Sequence, residues 1–161
     1  MNANMEQYSN YKILKDENLI IEYYYGEVTT DVILDMKKML MSDKNFNENF
    51  NSILDFRDSV LNIDSKGIEK IVKFIRNIMC HSKRKIALLT HTPEHVVITT
   101  LFANDVNDAN DANLPMQYKI FSTLRATTTW ITNCNYSKKI NKINCDKKFK
   151  LVVKTIDKLR I

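Results

Sequence analysis

Residues 49–71 read NFNSILDFRDSVLNIDSKGIEKI, and two hydrophobic periods meet inside them. Ser52 to Phe56 (SILDF) is a short apolar run that ends in charge at Asp55, Arg57 and Asp58. That pattern suits a buried strand whose C-terminal end meets solvent. From Ile68 the period changes: Ile68, Ile71, Val72, Ile75, Ile78 and Met79 form a stripe opposite Glu69, Lys70, Lys73 and Arg76. Apolar positions three and four apart predict a helix with one buried face, and Asp64 or Ser65 can cap it.

The same alternation extends in both directions. Upstream, YKILK (11–15) and LIIEYYY (19–25) predict two strands joined by a tight turn at Asp16, Glu17 and Asn18, with Gly26 ending the second. Thr29 or Thr30 can cap a helix carrying Val32, Ile33, Met36, Met39 and Leu40, with Asp31 in its first turn and Lys37 and Lys38 later. Downstream, KIALLT (85–90) predicts a strand, and Thr92-Pro93-Glu94 starts a helix containing Val96, Val97, Ile98, Leu101 and Phe102. MQYKIF (116–121) is the last strand, followed by a short helix capped by Ser122 and carrying Leu124, Trp130 and Ile131. The order ββαβαβαβα predicts an α/β fold: a mixed, mostly parallel central sheet of about five strands, with the opening hairpin antiparallel at one side.

At 161 residues, 18.9 kDa and 44% apolar content, the chain suits one domain plus an appendage. Two glycines, two prolines and 27% charged residues exclude collagen-like, Pro-rich and disordered classes. No apolar stretch approaches the roughly 18 residues of a bilayer span, and MNANMEQYSN (1–10) lacks the features of a secretory signal. A cytoplasmic location is expected. Cys80, Cys134 and Cys145 are odd in number without CxxC spacing, so they read as free thiols.

The net charge of +5 is unevenly placed. From Asn133 onward nine Lys or Arg face only Asp146 and Asp157, a net of +7 that leaves residues 1–132 at −2. The expected organisation is an N-terminal arm (1–10), the α/β domain (11–132) and a basic C-terminal extension (133–161). In that extension an Asn/Lys-rich linker (133–148) precedes an amphipathic segment with Phe149, Val152, Val153, Ile156 and Leu159. FKLVV within it fits a helix or a strand.

NFNSILDFRDSVLNIDSKGIEKI, KIALLTHTPEHVVITTLF and LPMQYKIFSTLRATTTWI together resemble the small bacterial STAS-like proteins, relatives of the anti-sigma-factor antagonists, over roughly residues 11–132. The resemblance implies a non-enzymatic regulatory module that binds another protein. Antagonist members carry Asp-Ser-Ser-Gly at the start of this helix and are phosphorylated on the first Ser; Asp64-Ser65-Lys66-Gly67 occupies that place, with Ser65 the matching residue and Lys66 replacing the second Ser. Phosphate there would sit beside helix N–H groups and repel an acidic partner. The plainer reading of Asp64-Ser65 is a helix cap. Relatives of this fold are also compared with the CRAL-TRIO lipid-binding fold. The alternative function is therefore a carrier of a small apolar or lipid-like ligand, with Met36, Met39, Met41, Phe102 and Trp130 as candidate lining.

The remaining constellations are weaker. Asp55, Arg57 and Asp58 are placed at a strand's C-terminal end, where ligands bind in open α/β sheets, although a solvated loop with a local Arg57 ion pair is the favoured reading. With Ser65, Asp64 and Gly67 they make up the candidate interaction surface. His91-Thr92-Pro93-Glu94-His95 imitates a His-x-x-x-His zinc pair, but a helix starting at Thr92-Pro93 leaves His91 outside it. NDVNDANDAN (104–113) fails as a calcium loop at Ala109, Asn110 and Met116. No metal, cofactor or catalytic group is predicted, Cys80 beside His81 included. The plainer reading of the basic tail is a solvated linker followed by a helix docked on the mildly acidic body; it could also attract nucleic acid or an anionic membrane surface. The oligomeric state is left open, a dimer included.

Overall fold

Strands that follow one another in the chain also lie side by side in the computed structural model, which describes residues 7–79, 82–107, 116–134 and 139–160. β1 (Tyr8–Leu14) and β2 (Leu19–Val28) form an antiparallel hairpin. β3 (Asn51–Leu61), β4 (Lys85–Leu89) and β5 (Gln117–Phe121) then add in sequence order, each parallel to the strand before it. The hairpin turns through a 3-10 turn at Lys15–Glu17, with Asn18 in the left-handed region at φ 49°, a conformation Asn tolerates better than most residues.

This order decides where the helices go. Each of the three crossovers steps in the same direction across the sheet, so the near-universal right hand places all three helices on one face. α1 (Thr30–Met41), α2 (Ser65–Met79) and α3 (Pro93–Asn107) do share a face. Ile33 and Met36 of α1 and Ile71 and Ile75 of α2 meet Tyr24, Leu54, Phe56, Ile86 and Leu88 of the sheet, with Ile98 and Phe102 of α3 against them. A sheet wound only one way leaves its second face bare. α4 (Leu124–Ile131) and α5 (Lys139–Leu159) cover it, where Ile131, Val152, Ile156 and Leu159 bury Leu19, Ile21, Tyr23, Ile53 and Ala87.

The C-terminal segment is thus part of the core. Helix α5 begins about ten residues before Phe149, so most of the expected linker is helical, and FKLVV is helix rather than strand. Its outer ridge carries the exposed Lys147, Lys150, Lys154 and Lys158. Lys148–Glu17 at 3.6 Å, Arg125–Asp146 at 3.6 Å and Arg160–Asp58 at 2.8 Å fasten its length to the body.

Three local expectations are corrected. Gly26 does not end β2; it lies within the strand at φ 75°, next to the register shift between Tyr23 and Tyr25, a conformation that needs no Cβ. The cap of α4 is Thr123, whose hydroxyl accepts from Ala126 N–H at 3.3 Å, rather than Ser122. Met39 of α1 faces solvent, and Lys37 takes the inward place. Among the described residues no helix is long and apolar enough to cross a membrane.

Candidate functional site

Parallel strands bring the starts of α2 and α3 to the same edge of the sheet, beyond the C-terminal ends of β3 and β4, where open α/β sheets present their binding groups. At α2 the cap is Asp64: its Oδ1 accepts the Gly67 N–H at 2.7 Å. Ser65 is the first helical residue, and Asp64, Ser65 and Lys66 are all exposed. Gly67 is buried against the start of α1. A Cβ there would lie 2.1 Å from Thr30 Oγ1 and 3.0 Å from Ile63 Cγ2, so the absent side chain lets the two helices approach. Beside this turn, Ile63 and Ile68 pack on Ile98 and Phe102 of α3. The outer side of α3 presents Val96, Val97 and Leu101 to solvent, Val97 at 60% exposure.

Asp55, Arg57 and Asp58 are not in a loop. β3 runs on to Leu61 because a bulge absorbs the extra residue: Tyr23 pairs with Asp55 and Tyr25 with Asp58. Asp55 is fully buried and takes a fork from Arg57, with Nε to Oδ1 at 2.9 Å and Nη2 to Oδ2 at 2.8 Å. Asp58 accepts from the Tyr23 hydroxyl at 3.0 Å and pairs with Arg160 at 2.8 Å. Burial and this carboxylate push the Tyr23 phenol up to about 12. Arg160 also stands 5.7 Å over the Tyr23 ring. The expected ion pair of Arg57 is present, but these residues form a seam between β2, β3 and the end of α5, on the face of the sheet opposite α2. The candidate surface therefore divides, and Asp64, Ser65 and Gly67 stand apart from Asp55, Arg57 and Asp58.

A polar cluster that sequence reasoning missed lies under α1. The carboxylate of Glu22 is fully buried and receives Lys37 Nζ at 2.6 and 2.7 Å and the Tyr24 hydroxyl at 2.7 Å. Burial pulls the Lys37 ammonium below its ordinary value against the opposing attraction of Glu22, and it holds Tyr24 well above the usual phenol range. Arg84, just before β4, is buried nearby. Lys37, Arg84, Thr99 and Tyr118 border a cavity of about 50 Å³ between α2, α3 and the sheet, otherwise walled by Ile, Leu and Phe side chains. A charged residue inside an unbroken apolar run, Glu22 in LIIEYYY, is the sequence signal that could have found the cluster.

Of the five residues expected to line a ligand pocket, Phe102 alone borders this cavity. Met36 is packed in the same core without reaching it, Met39 is exposed and Trp130 is on the other face of the sheet. His91 precedes α3 as expected, and its ring meets His95 edge-on at 6.4 Å between centroids. His95 is buried, and desolvation with the nearby His91 lowers its pKa from 6.5. Among the described residues Cys134 and Cys145 form no disulfide; Cys80 and His81 lie outside the described residues, as does the stretch from 108 to 115 of the rejected calcium loop.

A hairpin followed by three one-way crossovers gives the chain a SpoIIAA-like, or STAS-like, α/β fold. The crystal structure of an uncharacterized protein of the DUF3478 family with a SpoIIAA-like fold, from Shewanella loihica PV-4, is similar to this chain at a TM-score of 0.54 and 15% identity. The match covers 81% of this chain and 98% of that one. No family model and no curated protein matches the sequence.

Proposed function

We propose that this protein is a cytoplasmic, non-enzymatic interaction module of STAS-like type that engages another protein through the start of α2, with Ser65 as the group on which a phosphate switches binding. The observation that carries the reading is the exposed Ser65 on a helix start capped by Asp64 and packed through Gly67 against the start of α1, beyond the C-terminal end of β3. The apolar outer side of α3 supports it. Val96, Val97 and Leu101 give an adjacent face that a partner would cover. Phosphate on Ser65 would be tolerated by the first-turn N–H groups of α2 while turning that surface strongly acidic.

Quantitative affinity capture from cells of the source organism tests this. A shared set of partners is expected on the wild-type chain and on Ser65→Ala, reduced about ten-fold or more on Ser65→Asp. Equal capture by the two variants would remove Ser65 as the switch. A carrier of an apolar or lipid-like ligand has less support, because a cavity of about 50 Å³ is far below the roughly 300–1,000 Å³ of drug-sized ligand pockets.

A further inference from the structure

The buried polar cluster does not balance its charge, and this stands independently of any partner at Ser65. Glu22 is neutralised by Lys37, which donates to both its oxygens. Arg84 is then left as a second buried cation, 3% exposed, and among the described residues no group accepts from its Nε or Nη1. The carboxylates that act on it, Glu22 and Glu48, do so through space, without a hydrogen bond. The phenols of Tyr24 and Tyr118 are held neutral by burial and supply no negative charge. An uncompensated guanidinium in such surroundings is costly, several kcal/mol by analogy with broken buried pairs.

Its surroundings state what would relieve it. Arg84 borders the cavity with Lys37 beside it. Of the other polar lining groups, Thr99 spends its hydroxyl on the His95 carbonyl at 2.7 Å, whereas the Tyr118 hydroxyl has only a weak contact of 3.9 Å with Met116 Sδ and can donate. The rest is hydrocarbon, including Ile71, Ile75, Ile98 and Phe102. A doubly charged oxyanion would find too few donors against those walls, and a neutral hydrocarbon would leave the guanidinium unanswered. We propose that this cavity binds a small monocarboxylate, its oxygens on Arg84 and Tyr118 and its short carbon body against Ile71, Ile75 and Phe102.

The test uses the full-length protein in chloride-free buffer, titrated with formate, acetate, propionate, butyrate, chloride and sulfate while calorimetry and thermal unfolding are followed. Saturable binding and a raised Tm are expected for a short carboxylate in preference to chloride or sulfate. Arg84→Met should weaken that binding about ten-fold or more, the scale of a lost hydrogen bond to a charged group. Should Arg84→Met fail to fold, methyl NMR of the wild type decides: Ile71 and Ile75 methyl signals should shift saturably with the bound carboxylate. No saturable response to any carboxylate, an equal response to chloride, an unaltered response in a folded Arg84→Met, or a crystal grown in acetate with only water on Arg84 would each overturn the assignment.

Discussion

Glu22 and Lys37 illustrate how a single buried pair can be costly to break without being indispensable. Glu22→Gln leaves the ammonium of Lys37 in a dry site with one partner lost, and Lys37→Met does the same to the carboxylate. Each should cost about 3–5 kcal/mol in urea unfolding. The double change Glu22→Gln with Lys37→Met should cost clearly less than the two singles combined, since neither charge then remains. Gly67 offers a steric counterpart. Gly67→Ala places a methyl group against Thr30 Oγ1 and Ile63, for an expected loss of about 1–3 kcal/mol. Because the hydroxyl is the nearest obstacle, Thr30→Ala should return part of that loss. At this scale the sequence was legible where a residue's role is local. A cap at Asp64 or Ser65 follows from their place before a hydrophobic stripe, and it is Asp64 that fills it. Lys37 was not legible, since a lysine late in a helix reads as solvated until a carboxylate on a neighbouring strand is seen beneath it.

Among the elements, α3 depends on one titratable side chain. His95 is buried on its inner side, and its folded-state pKa is held below 6.5 by burial and by His91. Its contribution is complete above pH 6.5. As the pH falls below that value the unfolded chain takes up a proton that the folded chain resists, so stability declines. Urea midpoints measured between pH 7.5 and 5 should therefore fall more steeply for the wild type than for His95→Gln. A parallel decline in both would assign the acid sensitivity to other groups. The helix itself was legible from Thr92-Pro93-Glu94 despite its β-branched residues, because the start signal outweighs β propensity over this length. The bulge in β3 was not. Charges at Asp55, Arg57 and Asp58 resemble a strand's end, and only the Arg57 fork and the Tyr23 and Arg160 contacts explain how they stay inside the sheet.

For the whole molecule the winding direction governs what is dispensable. Three crossovers to one face leave the other to α4 and α5. Val152, Ile156 and Leu159 are each buried there, worth about 1.5–3 kcal/mol apiece, against a typical total stability of about 5–15 kcal/mol. A chain ending after Cys134 should lose cooperative unfolding and bind a hydrophobic dye. A truncation that still melts cooperatively near the wild-type temperature would show α5 to be an accessory. For the same reason, attraction of nucleic acid or anionic lipid is tested by Lys→Gln changes along the exposed ridge of Lys147, Lys150, Lys154 and Lys158, which leave the helix in place. The alternation of strands and helices was readable from period and caps. A tail helix docked on the body was expected from its amphipathic pattern and charge, but which face of the sheet it covers was not, because that face exists only once the sheet is assembled. The interaction surface we propose on the opposite face is tested most directly by photo-crosslinking in cells of the source organism, with the reactive residue placed at Lys66, at Val97 or, as a control, at Lys154. The account predicts a common protein adduct from the first two positions, weakened by Ser65→Asp, and none from the third; adducts from Lys154 alone, or from none of the three, would contradict it.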